Sequence, residues 1–303
     1  MILLTGATGF IGQHVVAKLQ QVRCVVRSDK GHAFNDVFEI DNLDGQTDWS
    51  SAFDKVSSII HLAGLAHNNT KDDSKYISVN TEGTVNLAKA AVAAGVKRFV
   101  FVSTIGVNGA VTDHSPFSNQ SIPNPHSGYA VSKLNAEVAL KKIASESDLE
   151  VTIIRPTLVY GPNAPGNFGK LIKLINLSPF LPFGLTNNRR DFISVQNLAD
   201  LLVTCTHHPK AAGKTFFAAD GETVTTQAFT NAIAKGLGKR IFQIPVPPVF
   251  ARQIGKITGK SEMVEQLFGN LEVDSTETSE LLDWNPPFTM AEAMSCLNII
   301  GNE

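Results

Sequence analysis

Three cysteines, Cys24, Cys205 and Cys296, are spread over 303 residues. They share no metal-ligand spacing, so the expectation is reduced, mostly buried thiols in a cytoplasmic chain, and no metal. No run of like charge occurs, and 26 basic against 28 acidic residues leave a net charge of −2, which argues against a nucleic-acid partner. No stretch approaches the ~18 apolar residues of a membrane span, so no membrane partner is expected. The first residues run straight into Gly6 without a charged region, so no signal peptide is expected. Internal repeats and low-complexity tracts are missing too. What is present is 43% hydrophobic and 18% charged residues, enough to bury a sizeable core, in a chain long enough for two units.

The first half alternates two hydrophobic periods. Apolar runs at Met1–Thr5, Val22–Arg27, Val37–Asp41, Ser57–Gly64, Lys97–Thr104 and Glu150–Arg155 read as strands. Phe10–Gln20, Ser74–Ala94 and Gly128–Glu146 read as the helices between them. This order predicts an α/β fold, a doubly wound parallel sheet covered on both faces. After Pro156 prolines and glycines become frequent. A short helix near Gly169–Leu177, a helix over Val195–Thr206, a strand over Lys214–Ala218 and helices near Thr226–Leu237, Val249–Thr258 and Met290–Ile300 follow. Residues 1–165, with about 191–220, are expected to form a dinucleotide-binding domain. Residues 166–190 and 221–303 are expected to form a smaller, mostly helical substrate domain.

Gly6-Ala7-Thr8-Gly9-Phe10-Ile11-Gly12 sits between the first strand and the first helix. Gly6 allows the tight turn, Gly9 lets backbone approach a phosphate, and Gly12 lets the helix pack close to the strand. A glycine triplet alone says little; one that follows a strand and opens a helix cradles a pyrophosphate. Thr8, Phe10 and Ile11 belong to the same turn. The second strand ends at Arg27, where a site preferring NAD has a carboxylate for the ribose hydroxyls. Arg27 can pair with a 2′-phosphate instead, so the cofactor is read as NAD or NADP with NADP slightly favoured; a solvent-facing Arg27, or one stacked on adenine, is the alternative. Asp41 and Asn42 end the third strand, within expected reach of adenine. Leu62, Ala63 and Gly64 end the fourth, and the two small residues let the cofactor lie close. Pro156 closes the sixth.

Tyr129-Ala-Val-Ser-Lys133 places a phenol and an ammonium group four residues apart, on one face of a helix. A free tyrosine has a pKa of about 10. Lys133 and a positive nicotinamide are expected to lower it, making Tyr129 an acid/base near neutral pH. Ser103 and Thr104 end the fifth strand, at the edge where ligands sit in such sheets, and the Thr104 hydroxyl can bond the reacting oxygen. Asn80, mid-helix, is read as a supporting hydrogen-bonder of the cofactor site. A dinucleotide site and a tyrosine acid/base on one chain imply hydride transfer at an alcohol or ketone.

TGATGFIG (5–12), HLAG (61–64), VNTEGTVNL (79–87), VSTIGVNG (102–109), YAVSK (129–133), RPTLVYGP (155–162), RRDFISVQNLADLL (189–202) and LLDW (281–284) together resemble the extended short-chain dehydrogenases/reductases of the NAD-dependent epimerase/dehydratase type. The stretches at 161–168 and 181–184 look most like UDP-sugar 4-ketoreductases, which are similar to UDP-glucose 4-epimerase and act in surface-polysaccharide precursor synthesis. The resemblance implies Tyr129 as acid/base, Lys133 as its partner and ribose anchor, and Thr104 as hydrogen-bonder to the substrate. It implies Asn167, Phe168 and Arg190 near the nucleotide diphosphate; a surface Arg190, or one paired with Asp191, is the alternative. Asn108 stands where the family usually has a tyrosine, a substrate-edge position. Sugar 4,6-dehydratases carry acids just after the strand-end threonine; here Ile105 and Gly106 stand there, which argues against dehydration. The leading expectation is reduction of a 4-keto UDP-deoxysugar at C4. The alternatives are 4-epimerisation of a UDP-hexose with retained NAD, and a non-catalytic dinucleotide-sensing regulator. A homodimer through the 74–94 and 128–146 helices is expected by analogy alone.

Overall fold

The computed structural model describes residues 1–27, 32–66 and 73–298. Seven strands form one all-parallel sheet: β1 (Ile2–Thr5), β2 (Val22–Arg27), β3 (Val37–Ile40), β4 (Ser58–His61), β5 (Arg98–Val102), β6 (Glu150–Pro156) and, late in the chain, β10 (Thr215–Ala218). The order across the sheet is β10-β6-β5-β4-β1-β2-β3. The chain builds outward from β1 to β3, then returns to the other side of β1 with β4. That reversal opens a crevice at the carboxyl ends of β1 and β4, where ligands of such sheets bind.

The central strands are buried on both faces, which is why they read as continuous apolar runs rather than alternating ones. One core packs Leu4, Ile60, Val100 and Ile154 against α6 (Val195–His207). The other packs Leu3, Ile59, Phe99 and Ile153 against α3 (Gly83–Ala93) and α4 (Gly128–Ser145). A third cluster gathers Tyr160, Phe168, Phe192 and Phe229, with Phe192 and Phe229 stacked at 3.7 Å, together with residues of the C-terminal helices.

Several elements differ from expectation. The first helix, α1 (Phe10–Val16), stops four residues early, because residues 17–21 turn the chain back into β2, although Leu19 still packs on the core. The 74–94 helix has three parts: α2 (Ser74–Tyr76), a π segment (Ile77–Glu82) and α3. Tyr160 and Phe192, expected in the larger domain, pack with the third cluster. Short strand pairs escaped the reading: β7 (Leu158–Tyr160) with β9 (Phe192–Ser194), and β8 (Phe180–Leu181) with β11 (Phe242–Gln243). Among the helices α5 (Gly166–Leu177), α7 (Thr226–Gly236), α8 (Pro248–Ile257), α9 (Ser261–Phe268), α10 (Thr276–Leu282) and α11 (Met290–Ser295), α9 and α10 were not foreseen, and the expected end of the last at Ile300 lies outside the described residues.

Candidate active site

The glycine turn is built as its spacing requires. Gly6 has φ +74°, and a Cβ there would lie 2.9 Å from the Ala63 nitrogen. A Cβ on Gly12 would lie 2.1 Å from the Gly6 carbonyl oxygen, so α1 can approach β1 only with glycine there. Gly9 caps α1 without a side-chain acceptor, so the first amides of the helix keep their donors for an anion.

Two contiguous hollows meet at this turn. One, of about 530 Å³, is bordered by Thr8, Gly9, Arg27, Asn42, Asp44, Ala63 and Lys75. The other, of about 420 Å³, is bordered by Phe10, Ile11, Gly12, Ser103, Thr104, Tyr129, Lys133, Pro156, Asn167 and Phe168. Gly6, Gly9, Leu62 and Gly64 border both. Asp41 is exposed beside the first hollow and does not line it, whereas its neighbours Ile40 and Asn42 do. Two joined hollows over a cradle that any Cβ would fill fit an extended dinucleotide, with Gly6, Gly9 and the start of α1 for its pyrophosphate.

A buried hydrogen-bond network fixes the crevice floor. His61 is fully buried; its Nδ1 lies 2.6 Å from Thr5 Oγ1 and its Nε2 2.9 Å from Thr84 Oγ1. Burial, helped by Lys133, lowers its pKa to about 3, so it stays neutral. Thr5 Oγ1 also accepts from the Ala63 amide at 3.1 Å. Asn80, placed inward by the π segment, accepts from the Leu65 amide and donates to the Leu65 carbonyl and to Ser132 Oγ. It therefore holds the loop after β4, and a Cβ on Gly64 would strike its Oδ1 at 2.7 Å.

Ser127 caps α4 by accepting from the Ala130 amide, which sets Tyr129 in the first turn and Lys133 one turn on. Lys133 is buried. It donates to the Val102 carbonyl at 2.9 Å and lies 4.6 Å from the Phe101 ring centre. Desolvation brings its pKa down to about 8, with Glu137 acting the other way. Tyr129 is half-buried with Tyr76 beside it, the ring centres 6.2 Å apart. Burial, then Tyr76, raise its pKa to about 12. The expected lowering is thus not met in the protein alone: burial sets the direction, and the Lys133 ammonium is turned to the Val102 carbonyl. Thr104 Oγ1 accepts from the Gly106 amide at 3.1 Å, which leaves its own proton to donate into the crevice.

Behind these residues lies a buried ion pair that the sequence reading missed. Glu137, four residues after Lys133, accepts from Arg155 Nε at 3.0 Å and from Ser103 Oγ. Arg155 also donates to Asn108 Oδ1 at 3.0 Å. Asn108 is 2% exposed and sits in this network rather than on the crevice wall, so it does not reach substrate from there. Its Nδ2 has no partner.

Leu158 and Asn167 border a further cavity of about 240 Å³, which Arg190 and Phe192 also line. Arg190 donates to the Gly269 carbonyl at 2.9 Å, and burial lowers its pKa to about 10. Asp191 instead accepts from Thr223 and the Val273 amide. Phe168 is a core side chain, its ring tilted against those of Tyr160 and Phe229. Two of the residues missed here had a signal: His61 is a polar residue closing an apolar run, and Glu137 lies one helical turn past Lys133.

A doubly wound sheet, a glycine turn at its switch point and a tyrosine–lysine pair at its edge are the frame of the dinucleotide-dependent enzymes of the short-chain dehydrogenase/reductase kind. The sequence profile of the NAD dependent epimerase/dehydratase family matches residues 2–219, and the chain belongs to that family. It is 42% identical over 304 residues to a UDP-glucose 4-epimerase of Vibrio cholerae, covering 96% of this chain and 92% of the relative. It is 29% identical over 224 residues to a GDP-6-deoxy-D-mannose reductase of Pseudomonas aeruginosa, covering 69% and 71%. A UDP-glucose 4-epimerase from Thermotoga maritima, solved with UDP-glucose, shares the fold at a TM-score of 0.79 over 99% of this chain and 98% of that one, at 22% identity.

Proposed function

We propose that the protein reduces the 4-keto group of a UDP-linked deoxysugar. The carrying observation is one crevice wall that holds Tyr129, Thr104 and Lys133 and continues through Asn167 into the cavity of Arg190. A phenol kept protonated by burial suits a donor to a ketone oxygen, the role a reductase asks of it at the start of turnover. Thr104 donates to the same oxygen and orients it. Lys133 holds the ribose and, as a cation, stabilises the phenolate left after proton transfer. The bound dinucleotide supplies the hydride. Arg190 provides a planar fork for the diphosphate and Asn167 a hydrogen bond beside it. Arg27 at the end of β2 supports acceptance of a 2′-phosphate, hence NADP(H) at least as well as NAD(H).

A second reading, 4-epimerisation of a UDP-hexose with retained NAD, is favoured by the name of the relative that is 42% identical. Tyr129 would then accept the proton first and return it. The two are separated by supplying 4-keto UDP-sugars with NADH or NADPH, and separately UDP-glucose or UDP-GlcNAc with no cofactor added. Stoichiometric cofactor oxidation is expected. Interconversion of the UDP-hexoses without added cofactor would replace reduction by epimerisation.

A further inference from the structure

The smaller lobe carries an apolar face that the fold leaves uncovered. On α8, Phe250, Ile254 and Ile257 follow helical spacing and are 58%, 59% and 85% exposed, with Val249 at 61% beside them. The opposite side of this helix is already used: Gly255 is buried against Val264, and Ala251 packs on the core. The parallel strand pair that precedes α8 begins with two more exposed rings, Phe180 and Phe242, stacked at 5.6 Å. Single exposed apolar residues are ordinary; a stripe and an aromatic pair on neighbouring elements mark an interaction surface.

The charge on α8 and its flanks says what covers it. Residues 238–265 carry five Lys and Arg against two Glu, a local surplus of three positive charges on a chain whose net charge is −2. Lys256 and Lys260 flank the stripe and are exposed, as are Lys239 and Arg240 before α8. A second copy docked by twofold symmetry would set these cations against themselves. An anionic bilayer meets both features at once: apolar side chains enter the acyl boundary and cations meet headgroup phosphates. No described helix is long and apolar enough to cross a membrane. We infer that the apolar stripe of α8, with its flanking lysines, docks the protein on an anionic phospholipid surface, contrary to the expectation of no membrane partner.

The test is flotation of the full chain with phosphatidylcholine vesicles, with and without phosphatidylglycerol, alongside sizing of each variant. The wild type is expected to float only with the anionic vesicles and to be released by salt. Phe250→Asp with Ile254→Asp is expected to weaken binding about tenfold or more, since each removes a buried apolar anchor. Lys256→Glu with Lys260→Glu, which touches no core contact, is expected to do the same through charge alone. Val138→Asp, on α4, is expected to leave binding unchanged. Failure of the wild type to bind anionic vesicles, or undiminished binding by the lysine pair, would overturn the inference. So would a smaller assembly formed by the Phe250/Ile254 variant, which would assign the face to a second copy.

Discussion

Lys133 and Tyr129 carry opposite burdens. Burial lowers Lys133 from 10.5 to about 8, so the cost of a buried ammonium is fully present below pH 8 and disappears as pH rises to 10.5. Tyr129 rises from 10 to about 12; its contribution is present below pH 10 and lost as pH climbs to 12. The stability of the wild type relative to Lys133→Met is therefore expected to improve by on the order of 3 kcal/mol between pH 8 and 10.5, read by urea unfolding at each pH. A flat difference would mean that Lys133 is not desolvated. At Glu137, removal of one partner leaves Arg155 buried and unpaired, so Glu137→Ala is expected to cost about 3–5 kcal/mol in chemical unfolding, and Glu137→Gln less. That Tyr129, Lys133 and Thr104 share one crevice wall was legible, because their positions follow from helical spacing and a strand end. The direction of the Tyr129 shift was not, because it depends on what the tertiary fold packs around the ring. Asn108 turns inward for a similar reason, since it lies in the turn after β5 and its partner Arg155 lies on β6.

The glycine turn and the π segment are the elements on which the crevice depends. Gly12→Ala is expected to push α1 off β1 and weaken dinucleotide binding by about tenfold or more, measured by fluorescence titration. Wild-type affinity in that variant would show that close packing of α1 is dispensable. Asn80→Ala removes three hydrogen bonds of a fully buried side chain, two of them to the Leu65 backbone, and is expected to destabilise the fold by about 2–4 kcal/mol. Calorimetry checks this. All seven strands of the main sheet were legible, since buried parallel strands leave apolar runs between turn signals. The two- and three-residue strands β7, β8, β9 and β11 left no such run; they exist because distant segments pair. The π segment is equally silent, as one widened turn costs the helical pattern almost nothing.

At the scale of the whole molecule, the family and the doubly wound sheet were legible from motifs spread through most of the chain. The arrangement of the C-terminal helices was not, because their contacts link residues far apart, as with Asn197 and Phe288. Cofactor choice also belongs to this scale, since the proposal assigns it to the far end of the crevice, where Arg27 borders the first hollow. On the proposed reading of Arg27, Arg27→Asp is expected to weaken NADP(H) about tenfold relative to NAD(H), because a carboxylate there repels a 2′-phosphate. Equal losses for both cofactors in a titration would place Arg27 outside ribose recognition. The central claim is that the Tyr129 hydroxyl moves the proton while the rest of the crevice holds the ligands. Tyr129→Phe, assayed with a 4-keto UDP-sugar and NADPH, tests it most directly: turnover is expected to fall by about 10²–10⁴ with dinucleotide affinity unchanged. Turnover equal to the wild type would contradict the account.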